Sequence, residues 1–210
     1  YKATLMKDPV PFPQADVLIC ESTYGDRLHD KIEHAEQKIL DAVIETCKIN
    51  KGKVIIPAFS LGRTQEVVYA LNKLNLHGLL PEIKIYVDSP LAVNATKIMR
   101  KYARSLNASV QSFLESRPDP FGFDLLTYIT DREDSKKLNE LDEPCVIISA
   151  AGMAEAGRVK HHIMQNIDNE RNTILMVGYA EPESLAGRLQ NGDLTVTIHG
   201  MKFNVKAQIQ

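Results

Sequence analysis

Glu21 directly follows four apolar residues, Val17-Leu18-Ile19-Cys20. A carboxylate at the buried end of an apolar strand is costly unless something satisfies it. The position therefore calls for a histidine, an arginine or a metal as partner, or for hydrogen bonds from nearby backbone N–H groups. Four further apolar runs end in residues suited to chemistry: Phe59-Ser60-Leu61-Gly62-Arg63, Asp88-Ser89-Pro90-Leu91-Ala92, Ser149-Ala150-Ala151-Gly152-Met153 and Val177-Gly178-Tyr179-Ala180. Small residues and hydroxyls at a helix start leave backbone N–H groups free, and with the helix dipole these make an anion site, phosphate being the obvious anion. The same residues are what strand-to-helix turns need for capping, so composition leaves phosphate binding and plain capping equally open. Arg63, just after Ser60, and Arg158, just after Gly157, are placed to fork onto a phosphate, or else to pair with Glu66 and Glu155. Arg158, Lys160, His161 and His162 form the densest basic cluster beside such a loop. Arg100, Lys101 and Arg104 read as a solvated helix face.

No metal site is expected within the chain. The six histidines include no HxH, HxxxH or HxxEH spacing, and adjacent His161 and His162 diverge by about 100° on a helix. Cys20, Cys47 and Cys145 share no CxxC spacing and read as reduced, small buried hydrophobes, which points to a cytoplasmic protein. No apolar run approaches the roughly 18 residues of a membrane span, so no membrane partner is expected. The net charge of −2 provides no global basic field for nucleic acid. Contact with RNA would have to come from local groups.

The elements that would position these residues follow from periodicity. Pro9, Pro11 and Pro13 make residues 1–15 an extended connector, and Val17–Cys20 reads as a strand buried on both faces. Ile32, Ala35, Ile39, Ala42, Val43, Thr46 and Cys47 share one stripe of a helix from Asp30 to about Asn50, ended by an αL-compatible glycine, Gly52. Strands are expected at 54–59, 83–87, 145–148 and 173–178. Helices are expected from an N-cap at Ser60 to Asn75, from Ser89-Pro90 to about Ser105, over 131–143, and near 155–167. Residues 107–128 are the least regular stretch. Thr195–Ile198 and Phe203–Gln208 flank Gly200 like an antiparallel hairpin. Apolar strands alternating with amphipathic helices predict an α/β fold, a mostly parallel, Rossmann-like sheet with helices on both faces and a C-terminal β-hairpin.

In order along residues 16–200, Glu21-Ser-Thr-Tyr-Gly-Asp-Arg27, Ile56-Pro-Ala-Phe-Ser-Leu-Gly-Arg-Thr-Gln-Glu66, Tyr86-Val-Asp-Ser-Pro-Leu-Ala92, Ser149-Ala-Ala-Gly-Met153 with Gly157-Arg158, and Val177-Gly-Tyr179 resemble the β-CASP family of metallo-β-lactamase-fold nucleases. The likeness is to the RNA-processing branch related to the pre-mRNA 3′-end cleavage endonuclease, with ribonuclease J more distant. It implies a β-CASP domain over 26–193, with 1–25 a connector and strand from the edge of a metallo-β-lactamase domain and 194–210 a hairpin returning toward it. The lactamase core, carrying two zinc ions, would lie outside this chain. Glu21 would be the catalytic acid that orients a histidine, and Ser60, Gly62, Arg63, Ser149, Gly152, Arg158, His161 and Tyr179 would line the path of single-stranded RNA. The implied parent is a zinc-dependent ribonuclease, a hydrolase of RNA phosphodiesters in processing or decay, with the isolated chain inactive. The implied partners are RNA and the chain's own lactamase domain, and a homodimer is left open. Two other readings stand beside it, a non-catalytic scaffold subunit of an RNA-processing complex and a free-standing nucleotide- or sugar-phosphate-binding α/β domain.

Overall fold

Every residue of Val54–Pro57 and of Cys145–Ser149 is buried, which a strand achieves only inside a sheet covered on both faces. The computed structural model describes residues 3–26 and 33–210. Its strands are β1 (Val54–Pro57), β2 (Lys84–Asp88), β3 (Leu126–Ile129), β4 (Cys145–Ser149), β5 (Thr173–Ile174), β6 (Thr195–Ile198), β7 (Met201–Asn204) and β8 (Gln208–Ile209). Six of them form one parallel sheet in the order β3-β2-β4-β1-β5-β8, while β6 and β7 pair as an antiparallel hairpin.

Side chains alternate across the sheet with the period of two that strands impose. Val54, Ile56, Ile85, Val87, Val146 and Ile148 pack on one face beneath α1 (Glu33–Val43), α2 (Arg63–Leu76), α3 (Pro90–Lys101) and α4 (Ala108–Ser116). Ile55, Cys145, Ile147 and Ile174 pack on the other beneath α5 (Arg132–Glu140), α6 (Arg158–Asn166), α7 (Leu185–Gln190) and the hairpin. The α/β class, the helices on both faces and the hairpin therefore agree with the periodicity. Among the described residues, no helix is long and apolar enough to cross a membrane.

Several local expectations are corrected. Val17, Leu18 and Ile19 form no strand and are 77%, 61% and 93% exposed, because no strand of the sheet lies beside them to satisfy their backbone. Residues 107–128 hold α4, capped by Asn107 accepting from the Val110 N–H, and the edge strand β3. Their prolines and glycine lie in the connection between the two rather than in either. The fifth strand stops at Ile174 rather than Gly178, and 203–208 divides between β7 and β8. On α1, Ala35 is exposed while Ile39, Ala42 and Val43 are buried, and the helix continues as a π-helical turn, Ile44–Ile49, that buries Thr46 and Cys47. The start of that helix, 30–32, and Arg27 and His29 lie outside the described residues.

The left-handed position after that helix is Lys51, at φ 58°, and not Gly52. Gly52 is required for a different reason: a Cβ there would sit 1.8 Å from the Arg171 carbonyl oxygen. Backbone meets backbone, so neither side can swing away. Gly52→Ala is accordingly expected to destabilise the protein by about 2–3 kcal/mol, read as a lower denaturant midpoint with an unchanged m-value.

Candidate nucleic-acid interface

The chain leaves adjacent strands toward opposite faces: β1 leads into α2 on one side, and its neighbour β4 into α6 on the other. Such divergence opens a crevice at the carboxyl ends, where ligands of open parallel sheets bind. A groove of about 620 Å³ lies there, walled by Phe59, Ser60, Leu91, Ile98, Ala150 and Ala151. Its lining is almost wholly apolar, so the charged groups must be sought to either side.

On one side, Asp88 ends β2 with no exposed surface. Its carboxylate accepts from Arg158 Nη1 at 2.7 Å, Ser135 Oγ at 2.5 Å and His162 Nε2 at 2.7 Å. Arg158 Nη2 also donates to the Thr130 carbonyl at 2.8 Å, and Ser149 Oγ to the Asp88 carbonyl at 2.8 Å. His162 Nδ1 lies 2.8 Å from Asn139 Oδ1. Burial alone would raise the Asp88 carboxyl, but the hydrogen bonds from His162, Ser135 and Arg158 outweigh it and hold the group below the ordinary carboxylate range. The network joins β2, β4, α5 and α6.

On the other side, Arg63 opens α2 beside the loop that follows β5. Its Nε would lie 3.8 Å from a Cβ built on Gly178, and its Nη1 pairs with Glu66 at 2.8 Å. The next residue, Tyr179, meets Tyr24 edge to face with ring centroids 5.9 Å apart. A cation and two half-buried aromatic rings thus gather where 21–26, the start of α2 and the loop after β5 converge.

The residues singled out in the sequence fall into this frame unevenly. Ser60 does not cap α2: its Oγ lies 3.3 Å from Ser89 Oγ, and the cap position belongs to Gly62 at φ 86°. Buried Gln65 ties this loop down, accepting from the Gly62 N–H at 2.7 Å and donating to the Ser60 carbonyl at 3.0 Å. Ser89 is a cap as expected, accepting from the Ala92 N–H. Ser149 is buried and turned into the Asp88 network rather than toward solvent. Gly152 packs against the Phe59 ring. Gly157, at φ 80°, starts α6 so close to Ala150 that a Cβ would lie 2.3 Å from its carbonyl oxygen, which moves the helix start from the expected 155 to 158.

Arg158 pairs with Asp88 and not with Glu155. His161 stacks on His199 at a centroid distance of 4.9 Å, and burial first, then His199, lowers its pKa below the ordinary histidine value. His199 itself occupies the hairpin turn at φ 50°. Arg100 is no solvated group, because it pairs with Asp119 at 3.0 Å and covers the Tyr128 ring.

Glu21 differs most from expectation. It is exposed, and its carboxylate accepts from the Thr23 N–H at 2.7 Å, since the strand that would bury it is absent. The residue that does end a buried strand as an acid is Asp88. Tyr86-Val87-Asp88 carries the same signal as Ile19-Cys20-Glu21, so the burial rule applied to Glu21 would have found Asp88 as well. Its partners Ser135, Asn139 and His162 had no such signal. Among the described residues, no group of three or more His, Cys, Asp or Glu side chains is arranged to hold a metal ion, and no step is assigned to a metal within this chain.

The network makes two expectations. Ser135→Ala removes one donor to a buried carboxylate and should cost about 1.5–3 kcal/mol of stability, measured by urea unfolding. Because the Asp88 pKa is lower folded than unfolded, its contribution is complete above about pH 4 and is lost as pH falls through the folded value. The gap in urea midpoint between wild type and Asp88→Asn should therefore close as pH falls through the carboxylate range below about pH 4. A gap independent of pH down to unfolding would contradict this account.

The chain matches the family model described as Beta-Casp domain over residues 64–189, more than half its length. It is 31% identical over 206 residues to ribonuclease TTHA0252 of Thermus thermophilus, covering 98% of this chain and 47% of that protein. An RNase J-like protein of Methanocaldococcus jannaschii is also 31% identical, over 208 residues, with 98% and 47% covered. An endoribonuclease ysh1 of Schizosaccharomyces pombe is 30% identical over 196 residues, covering 92% of this chain and 25% of that protein. The chain thus spans about half the length, or less, of the curated relatives it matches. By the family match over more than half its length, the chain belongs to the Beta-Casp domain family.

Proposed function

We propose that this chain is the RNA-binding β-CASP portion of a ribonuclease that hydrolyses RNA phosphodiester bonds in processing or decay. The observation that carries the reading is the convergence of Arg63, Tyr24 and Tyr179 at the carboxyl end of the sheet. Single-stranded nucleic acid is held without sequence preference by cations along its backbone and aromatic faces under its bases, and these are the two group types gathered there. The likeness to named ribonucleases over nearly the whole chain supports the same reading. The backbone would be held by Ser60, Gly62 and Arg63 on one side of the crevice and by Gly152 and the start of α6, Arg158 and His161, on the other, with Tyr179 beneath a base.

Hydrolysis by two zinc ions is the chemistry this reading assigns to the whole enzyme, in the cytoplasm. The residues described here do not form such a centre, so the ligands would come from the lactamase-fold part of the protein. Glu21, exposed in this structure, would then be covered by that part, with the apolar Val17–Ile19 beside it supplying the contact. In that setting it would orient a histidine near the scissile phosphate.

Three measurements test the proposal. In the full-length protein, Glu21→Gln should lower the rate of single-stranded RNA cleavage by about a hundredfold or more while leaving the melting temperature within about a degree. Wild-type cleavage by that variant would remove Glu21 from the site. Arg63→Gln should weaken RNA binding for all sequences alike and reduce the slope of log affinity against log salt by about 0.7. The isolated 210-residue chain is expected to cleave no RNA, with or without added zinc.

A further inference from the structure

We propose that the groove between α5 and α6 binds a backbone phosphate of single-stranded RNA, and that Asp88 is the positioning residue that holds Arg158 in it. The inference rests on the RNA reading above and extends it to Arg132 and Asp88, which have no role in that reading. The groove has a volume of about 680 Å³, and its lining includes Arg132, Lys136, Arg158 and His161, with Glu140 as the opposing charge. Lys136 is engaged by Glu133 at 2.8 Å. Arg132 is exposed and has no ion pair among the described residues. Arg158 is paired with Asp88 but keeps part of its side chain exposed in the groove, so it stands beside Arg132 as a cation that a ligand can reach.

These two residues are the first of α5 and α6, and both helices begin at the carboxyl edge of the sheet. A cation in the first turn of a helix opposes the macrodipole. At α5 the Asp131 side chain already caps the helix, and Glu133 and Asp134 follow in the first turn. At α6 there is no side-chain cap and no acid in the first turn. What offsets Arg158 is Asp88, reached from a different strand and wholly buried.

The geometry of that pair sets what Arg158 can do. One nitrogen bonds Asp88 and another the Thr130 carbonyl, so the guanidinium plane is fixed from two directions. The side chain keeps 23% of its surface exposed, and the residue lines the groove. A pre-oriented fork loses little entropy when it meets a phosphate oxygen. Asp88 needs no contact with RNA to contribute, since it acts through Arg158. Its other donors, Ser135 and His162, bond the second carboxylate oxygen and satisfy the buried charge.

Binding of a labelled single-stranded RNA to the full-length protein, followed by fluorescence anisotropy across a range of KCl, tests this. Arg132→Gln should weaken binding several-fold for every sequence and lower the salt slope by about 0.7. Asp88→Asn should weaken binding about tenfold. Ser135→Ala, which removes a different donor to the same carboxylate and leaves the Arg158–Asp88 pair, should lower Tm yet keep affinity within about twofold. A purely structural Asp88 would make Asp88→Asn and Ser135→Ala alike, lowering Tm with RNA affinity unchanged, and that result would overturn the positioning role. Should Asp88→Asn fail to fold, Arg158→Lys takes its place, and unchanged affinity there overturns the role equally. Unchanged affinity and slope in Arg132→Gln would take the groove out of the RNA path. If wild type binds no RNA even at low salt, it is the RNA reading itself that fails.

Discussion

A carboxylate with no access to water must be surrounded by donors, and the arrangement of this molecule's active edge follows from how Asp88 meets that demand. Its three side-chain donors come from α5 and α6, two helices that follow different strands. Satisfying the charge therefore fixes the separation and rotation of those helices over the sheet. The same contacts link onward to the far end of the layer, because Asn139, which faces His162, also gives its carbonyl to the buried Lys53 at 3.4 Å. Polar networks in a low-dielectric interior are costly when incomplete and specifying when complete. Among the described residues, no buried side-chain nitrogen or oxygen lacks a partner.

That constraint divides the strand-end surface into parts with different chemistry. The crevice above β1 and β4 is apolar and uncharged, with Phe59 at its wall. To one side lies the α5–α6 groove with its arginines, and to the other the junction of Arg63 with Tyr24 and Tyr179. A net charge of −2 is no bar to an anionic ligand, because Arg63, Arg132 and Arg158 each open a helix at the carboxyl edge of the sheet.

Much of the sheet could be read directly from residue order. Val54-Ile55-Ile56 and Cys145-Val146-Ile147-Ile148 are apolar on both faces because both faces are covered, and that alone implies a central parallel strand. Ser89-Pro90 announces a helix start through capping and a proline at the first helical position, which are properties of a few adjacent residues. Where reading failed, the missing information was the identity of a neighbour. Val17–Cys20 has the composition of a buried strand but pairs with no strand among the described residues. Residues 107–128 look irregular because prolines and glycine crowd the connection between α4 and β3, obscuring both. Gly52 looks like a helix terminator, but its requirement comes from Arg171, far away in sequence and touching in space.

Residue order carries the apolar period of the central strands, the strand-end positions of Asp88 and Ser149 and, through five motifs in register, the family. These are local or ordered properties that a linear chain carries whole. Only the tertiary structure decided that Glu21 stands exposed while Asp88 is the buried acid, and that Arg158 answers Asp88 rather than Glu155. It alone turned Ser149 inward and set His161 against His199. The reason is physical: a charged side chain's state depends on which groups the fold brings within a few ångströms, and those groups come from strands and helices separated by tens of residues.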